Sequence, residues 1–217
     1  MSIFAIGDLH LPGGDKKPMD VFGSHWEHHF ERICADWRSR VKPEDIVLIP
    51  GDISWAMQLG DALSDLRDIA KLPGTILLLR GNHDFWWSSL SQLRACLPEN
   101  MHAVQNDAFD AGTCVFCGTR GWTIPLGQNA TAQDEKLYRR EAMRLEMSLK
   151  DAARMADGRP IFAMMHYPPL LPETLRQGTQ PSWPRRAALK RRPSFRANPS
   201  DPSRPRRVRL RRTAPLR

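Results

Sequence analysis

Three apolar runs near the start of the chain each end abruptly in a short polar segment. Ile3–Ile6 leads into Gly7-Asp8-Leu9-His10, Ile46–Ile49 into Pro50-Gly51-Asp52, and Thr75–Leu79 into Arg80-Gly81-Asn82-His83-Asp84. Continuous apolar runs of this length, rich in β-branched residues, form strands buried on both faces of a parallel sheet. Ligands of such sheets bind just beyond the carboxyl ends of the strands. Folding therefore delivers Asp8, His10, Asp52, Asn82 and His83 to one edge of one sheet. Carboxylate and amide oxygens with imidazole nitrogens are donors for hard or borderline divalent cations.

The segments between these runs are helical in period. Trp26, His29, Phe30, Ile33 and Trp37 recur at helix spacing between His25 and Val41, with Ser24 placed to cap. Leu59, Leu63, Leu66 and Ile69 do the same between Gln58 and Leu72, where Pro73-Gly74 ends the element. A third helix is expected from Ser88. Strand–helix alternation with short turns is the signature of an α/β fold with right-handed crossovers. Further on, His102–Val104 and Cys114–Cys117 read as short strands in hairpins, separated by Asn106-Asp107 and Ala111-Gly112 turns. Ala132–Ala156 reads as a long charged helix. Ile161–Met165 reads as a last buried strand, ending in His166.

Together, Asp8-Leu9-His10, Gly51-Asp52, Gly81-Asn82-His83-Asp84 and Met165-His166 resemble the ordered motifs of calcineurin-like metallophosphoesterases. The resemblance covers residues 1 to about 170. It implies an α/β fold of the metallophosphoesterase type, a β-sandwich flanked by helices, around two divalent cations. Asp8 and His10 would hold the first cation, Asp52 would bridge both, and Asn82 and His166 would hold the second. His83 would sit near the leaving oxygen, with Asp84 orienting its imidazole. Arg80 matches the phosphate-contacting Arg of the protein-phosphatase branch.

The expected reaction is hydrolysis of a phosphate mono- or diester, with a hydroxide held by both cations as nucleophile. No Ser or Cys is arranged with a base to serve instead. A donor set without thiolate suits Mn, Fe, Ni or Zn in a catalytic rather than a structural site. Taken singly, Asp8, Asp52 and Asn82 read as ordinary turn residues. Their repetition at one sheet edge favours the cation site.

Other features read as structural. Cys114 and Cys117 have redox-like spacing, but three residues apart on a strand they face opposite ways. His25, His28 and His29 read first as a half-buried helix face and second as part of a substrate site. Trp55, Trp86, Trp87 and Trp122 follow strand ends; core packing is the default, with one or two walling a pocket. Arg120-Gly121-Trp122 is the specificity candidate.

The C-terminus differs in kind. The net charge is +8, yet fourteen of the 32 Lys and Arg lie after Glu173 with a single acidic residue, Asp201. The remaining 18 basic residues against 23 acidic ones give the first 173 residues a charge of −5. Ten of the 18 Pro lie from Pro168 onward. Such a composition buries too little apolar surface to offset its ordering entropy. The expected division is a metallophosphoesterase domain at 1–172 and a basic, Pro/Arg-rich, disordered tail at 173–217.

The family pattern closes with a Gly-His-x-His segment that completes both cation sites, whereas His166 is the last His of this sequence. The expectation is an incomplete domain lacking its closing strands, with impaired activity. A shifted reading frame near Leu171–Gln180 would produce such a tail; re-reading the neighbouring frames for Gly-His-x-His tests that. The alternative function is an inert fold remnant whose tail binds nucleic acid or anionic surfaces. No signal peptide precedes the first strand, no run reaches membrane length, and four Cys without a disulfide layout fit the cytoplasm. Oligomeric state is not legible.

Overall fold

The computed structural model describes residues 1–14, 19, 23–125 and 130–169, together with the backbone of 210–212. Two sheets lie face to face with helices on both outer sides. The first sheet contains β1 (Ile3–Ala5), β2 (Ile46–Ile49), β3 (Thr75–Leu78), β4 (Met101–Ala103) and β8 (Leu210–Arg212) in the order β4-β3-β2-β1-β8. All its pairs are parallel, with Ile3 opposite Ile46 and Ile46 opposite Thr75. The second sheet, β5 (Ala108–Asp110), β6 (Val115–Thr119) and β7 (Ile161–Met165), runs β5-β6-β7.

Strand alternation divides the core into layers. Val47, Ile49, Ile76 and Leu78 face α1 (His29–Arg40), α2 (Leu59–Ala70) and α3 (Leu90–Cys96), meeting Trp37, Leu66, Ile69 and Leu93. Their neighbours Ile46, Leu48 and Leu77 face the second sheet and meet Phe116 and Met164. Val115 and Cys117 point the other way, onto Ala152 and Ala156 of α4 (Ala132–Ala156). Cys114 joins the inter-sheet layer, so the two thiols lie on opposite sides of the sheet. All four Cys are free, and burial pushes the Cys117 thiol up to about 11.

Local chemistry explains the helix ends. Thr131 and Asp134 form a capping box at the start of α4, and the Ser89 hydroxyl accepts from the Gln92 amide at the start of α3. The first helix departs from its expected start. Ser24–Trp26 forms a separate 3₁₀ turn, Glu27 is extended, and His28 takes a left-handed conformation before α1 begins. The break lets the His29 ring reach the carbonyls of Leu9 and Trp26, at 2.9 and 3.2 Å. Tertiary hydrogen bonds here outweigh local periodicity.

Two further expectations are corrected. β4 forms no hairpin; it extends the first sheet in parallel with β3, and Asn106, in a left-handed conformation, lies on the crossing to the second sheet. The hairpin is β5–β6, and β5 itself was not expected. Within the basic tail, Leu210–Arg212 pairs with β1 instead of standing apart as unstructured chain. An open strand edge offers unpaired amides and carbonyls that any extended segment satisfies, whatever its side chains. The rest of the tail, where disorder was expected, lies outside the described residues. Among the described residues no helix is long and apolar enough to cross a membrane.

Candidate metal centre

Beyond their last paired residues, β1 and β2 continue side by side into the loops that carry the candidate ligands. The amide of Asp8 donates to Gly51 O, that of His10 to Asp52 O, and that of Leu11 to Ile53 O, at 2.9–3.1 Å. Side chains in this stretch converge because the backbone is forced out of the strand conformation. Asp8, His10 and Asp52 have φ of 57°, 47° and 53°, half of the non-glycine residues described with positive φ. A left-handed backbone at a non-glycine residue costs about 1–3 kcal/mol and persists only where its surroundings impose it.

The donors of Asp8, His10 and Asp52 all lie within 4.8 Å of one another. His10 Nε2 stands 3.9 Å from Asp8 Oδ1 and 3.9 Å from Asp52 Oδ2. Those gaps exceed hydrogen-bond length. They leave room for a shared cation with bonds of roughly 2.0–2.2 Å. Burial holds the His10 pKa below its ordinary value despite the opposing pull of Asp52 and Asp8, so the ring keeps a free electron pair near neutrality. Its other nitrogen, Nδ1, is buried without a hydrogen-bond partner.

A second set of donors meets the first at Asp52. His166 Nδ1 faces the Pro50 carbonyl at 3.0 Å, which only accepts, so that nitrogen carries the proton. Nε2 lies 2.7 Å from Asn82 Oδ1 and 3.6 Å from Asp52 Oδ2, so one imidazole nitrogen and two oxygens of the kinds that bind divalent cations meet there. A backbone-anchored Nδ1–H is the usual support of a ligating imidazole. The residues present therefore fit divalent-cation binding, with Asp52 common to both sets of donors. Two glycines permit the approach. A β-carbon on Gly81 would run into the Asp52 carboxylate, and one on Gly51, at φ 107°, would lie 2.8 Å from His166 Nδ1.

Asp84 does something other than orient His83. It is 0% exposed, and its oxygens accept from the amides of Asp52, Ile53, Ser54 and Gly81 and from Trp86 Nε1, at 2.7–3.3 Å. Both oxygens are thereby committed, and no bond to the His83 ring forms among the described residues. Burial raises the Asp84 pKa, opposed by those backbone hydrogen bonds. Asp84 ties the loop after β2 to the loop after β3. His83 is instead placed by Trp55, whose ring lies 4.7 Å away, while its own amide donates to Asp52 Oδ1 at 2.9 Å. Trp55 also stacks on His10 at 4.7 Å. Phe85, 54% exposed, meets His83 edge-to-face with ring centroids 6.3 Å apart.

Of the other Trp residues, Trp86 and Trp87 join the core while Trp122 lies by Arg120 and Tyr167. His28 is exposed and His29 braces Leu9, between two candidate ligands. Arg80 turns towards Arg120, Arg144 and Glu141; burial, then the Arg120 charge, lowers its pKa.

Asp65 was missed at the level of sequence. Buried on α2, it accepts from the Gly13 amide at 2.8 Å and the Ser54 hydroxyl at 2.6 Å, joining the loops after β1 and β2. Its signal was available: a carboxylate on the apolar stripe of an amphipathic helix, one residue before Leu66.

A family model described as calcineurin-like phosphoesterase matches residues 1–197, beyond the boundary expected at 172. Among solved structures, a protein of unknown function, AQ665, from Aquifex aeolicus is 16% identical, with 75% of this chain and 89% of that chain covered and a TM-score of 0.40. The phosphopantetheinyl hydrolase PptH from Mycobacterium tuberculosis is 14% identical, with 82% and 71% covered and a TM-score of 0.44. Both scores fall under 0.5, so neither likeness says what this chain acts on. No curated protein matches the chain.

Proposed function

Because the chain belongs to the calcineurin-like phosphoesterase family, we propose that it hydrolyses a phosphate mono- or diester at the centre built around Asp52. The observation that carries this reading is the position of one carboxylate oxygen, Asp52 Oδ2, between His10 Nε2 at 3.9 Å and His166 Nε2 at 3.6 Å. Asp8 and His10 would hold one divalent cation, Asn82 and His166 the other, and Asp52 both. Bound there, the cations would supply Lewis acidity and lower the pKa of water.

The protein's own groups do the rest. Asp52 is buried and fixed through Oδ1 by the His83 amide, so its other oxygen has one position. The His83 ring, half-buried beside Trp55 and Phe85, would give a proton to the departing oxygen. Asp84 acts as a positioning residue through the backbone of both ligand loops. Among the described residues each cation would have three protein donors, one of them shared, leaving positions for water and substrate and favouring loose retention of metal.

The test is hydrolysis of p-nitrophenyl phosphate and its bis ester with added Mn²⁺, with Asp52→Asn as control. Metal-dependent turnover abolished by the substitution is expected. Turnover that survives in Asp52→Asn, or that ignores chelator, rules the reading out.

A further inference from the structure

The end of the molecule that carries Asp52 also carries a second group of charges. A cavity of about 280 Å³ opens beside the ends of β3 and β6, and its lining includes Arg80, Arg120, Arg140, Arg144, Glu141 and Thr119. Arg140 and Arg144 project from the same side of α4, one turn apart. Glu141 is the one carboxylate of the lining and is already engaged: it accepts from Arg144 at 2.6 Å and from the Thr119 hydroxyl at 2.7 Å. Arg140 Nε lies 3.9 Å from it. Among the described residues neither Arg80 nor Arg120 forms an ion pair, and Arg80 Nε is buried without a hydrogen-bond partner.

Four guanidinium groups thus face one carboxylate in a partly enclosed space. Charge held away from water without a counter-charge, as at Arg80, is costly, and an anion relieves it. The planar fork of Arg matches phosphate with paired hydrogen bonds. A cation is disfavoured by the same charges. The cavity adjoins the metal centre through two chain connections. Arg80 precedes Asn82 by two residues, and the Arg120 carbonyl accepts from the amides of His166 and Tyr167 at 3.2 and 2.9 Å.

We infer that this cavity is a subsite for a second phosphate group of the substrate, so that the ester cleaved at Asp52 belongs to a molecule carrying another phosphate. The inference rests on the phosphohydrolase reading above. The volume lies just under the roughly 300–1,000 Å³ of pockets that enclose a whole small ligand, which suits an end group.

Inorganic phosphate titrated by calorimetry into the full chain in excess EDTA, at low ionic strength, isolates this cavity from the metal centre. Saturable binding is expected, weakened about tenfold in Arg120→Gln and in Arg140→Gln. Both variants leave the Arg144–Glu141 pair intact, and circular dichroism checks their fold. Absent binding, or binding unchanged in both, overturns the inference while leaving p-nitrophenyl phosphate turnover untouched.

In the Mn²⁺-loaded protein, a nucleoside bisphosphate should inhibit p-nitrophenyl phosphate hydrolysis about tenfold more tightly than the matching monophosphate, and Arg120→Gln should erase the difference. Equal inhibition by the two overturns the substrate role and leaves a pocket for a free anion. Phosphate binding without any Mn²⁺-dependent hydrolysis overturns both the substrate role and the parent reading.

Discussion

The two halves of the candidate metal centre are built by different means. Asp8, His10 and Asp52 come from adjacent parallel strands, and consecutive backbone hydrogen bonds lock their loops together. Their side chains converge because three residues accept a left-handed backbone. Asn82 and His166 lie 84 residues apart and meet only when the second sheet docks on the first. The His166 amide hangs on Arg120 at the end of β6, and β6 is held to α4 through Ser148 and through the Thr119–Glu141 bond. One half therefore stores backbone strain, and the other inherits its geometry from packing. Substitutions in the outer helix should loosen the second half and leave the first alone.

Asp52 belongs to both halves, so its loss should have the largest effect. Asp52→Asn should lower kcat/KM by roughly 10³-fold or more, equivalent to about 4 kcal/mol of transition-state stabilisation. Elemental analysis should find both cations depleted. Asp8→Asn should deplete one. If Asp52→Asn retains one full equivalent of metal, the halves do not share this carboxylate.

Asp84 stands next. Asp84→Ala strands four buried amides and the Trp86 indole N–H without an acceptor. A stability loss of about 3–5 kcal/mol in urea unfolding is expected, even though removing a buried carboxylate relieves its desolvation. A loss under about 1 kcal/mol would mean that the loops after β2 and β3 hold their shape without it.

The contrast between the halves also marks what could be read in the chain. Apolar runs and the polar residues behind them located β1, β2, β3 and β7 and the loops on which Asp8, His10, Asp52, Asn82 and His166 approach one another, because in a parallel sheet strand position dictates where its end loops lie. The role of Asp84 was not legible. Adjacent to His83, it reads as that ring's partner, whereas its acceptors serve amides 30–32 residues away. The same holds for Asp65, and for the Arg120–Arg140–Arg144 group, which two separate stretches bring together only after α4 packs on β6. Local pattern cannot report pairings that tertiary contacts create. The β4 strand was legible but its pairing was not, for a related reason: a short strand followed by Asn-Asp reads as a hairpin, and only the register with β3 reveals a crossing between sheets.

Ser148→Ala probes the packed half with a smaller perturbation. The Ser148 hydroxyl accepts from the Gly118 amide at 2.7 Å and donates to the Asp107 carbonyl, fastening α4 to β6 and to the start of β5. Leaving the buried Gly118 amide unpaired should cost about 1–3 kcal/mol. Titration with Mn²⁺ should then show one of two affinities falling while the other is preserved. Equal weakening of both would erase the distinction between the halves.

The smallest effect expected belongs to the strained half and concerns pH. Burial lowers the His10 pKa from its ordinary 6.5, so in metal-free protein the unfolded chain takes up a proton before the folded one does. Where the unfolded state binds more protons, stability rises with pH. The contribution of His10 is thus fully present above 6.5 and is lost as pH falls through the lower value of the folded state. Asp84 and Asp65, whose pKa values burial raises from the ordinary 3.8, act in the opposite sense: they gain stability on protonation. The urea midpoint in EDTA should therefore decline between about pH 7 and pH 5, and the decline should be shallower in His10→Asn, which leaves both carboxylates in place. Identical slopes in the two proteins would locate the proton uptake elsewhere and remove His10 from the account of this half.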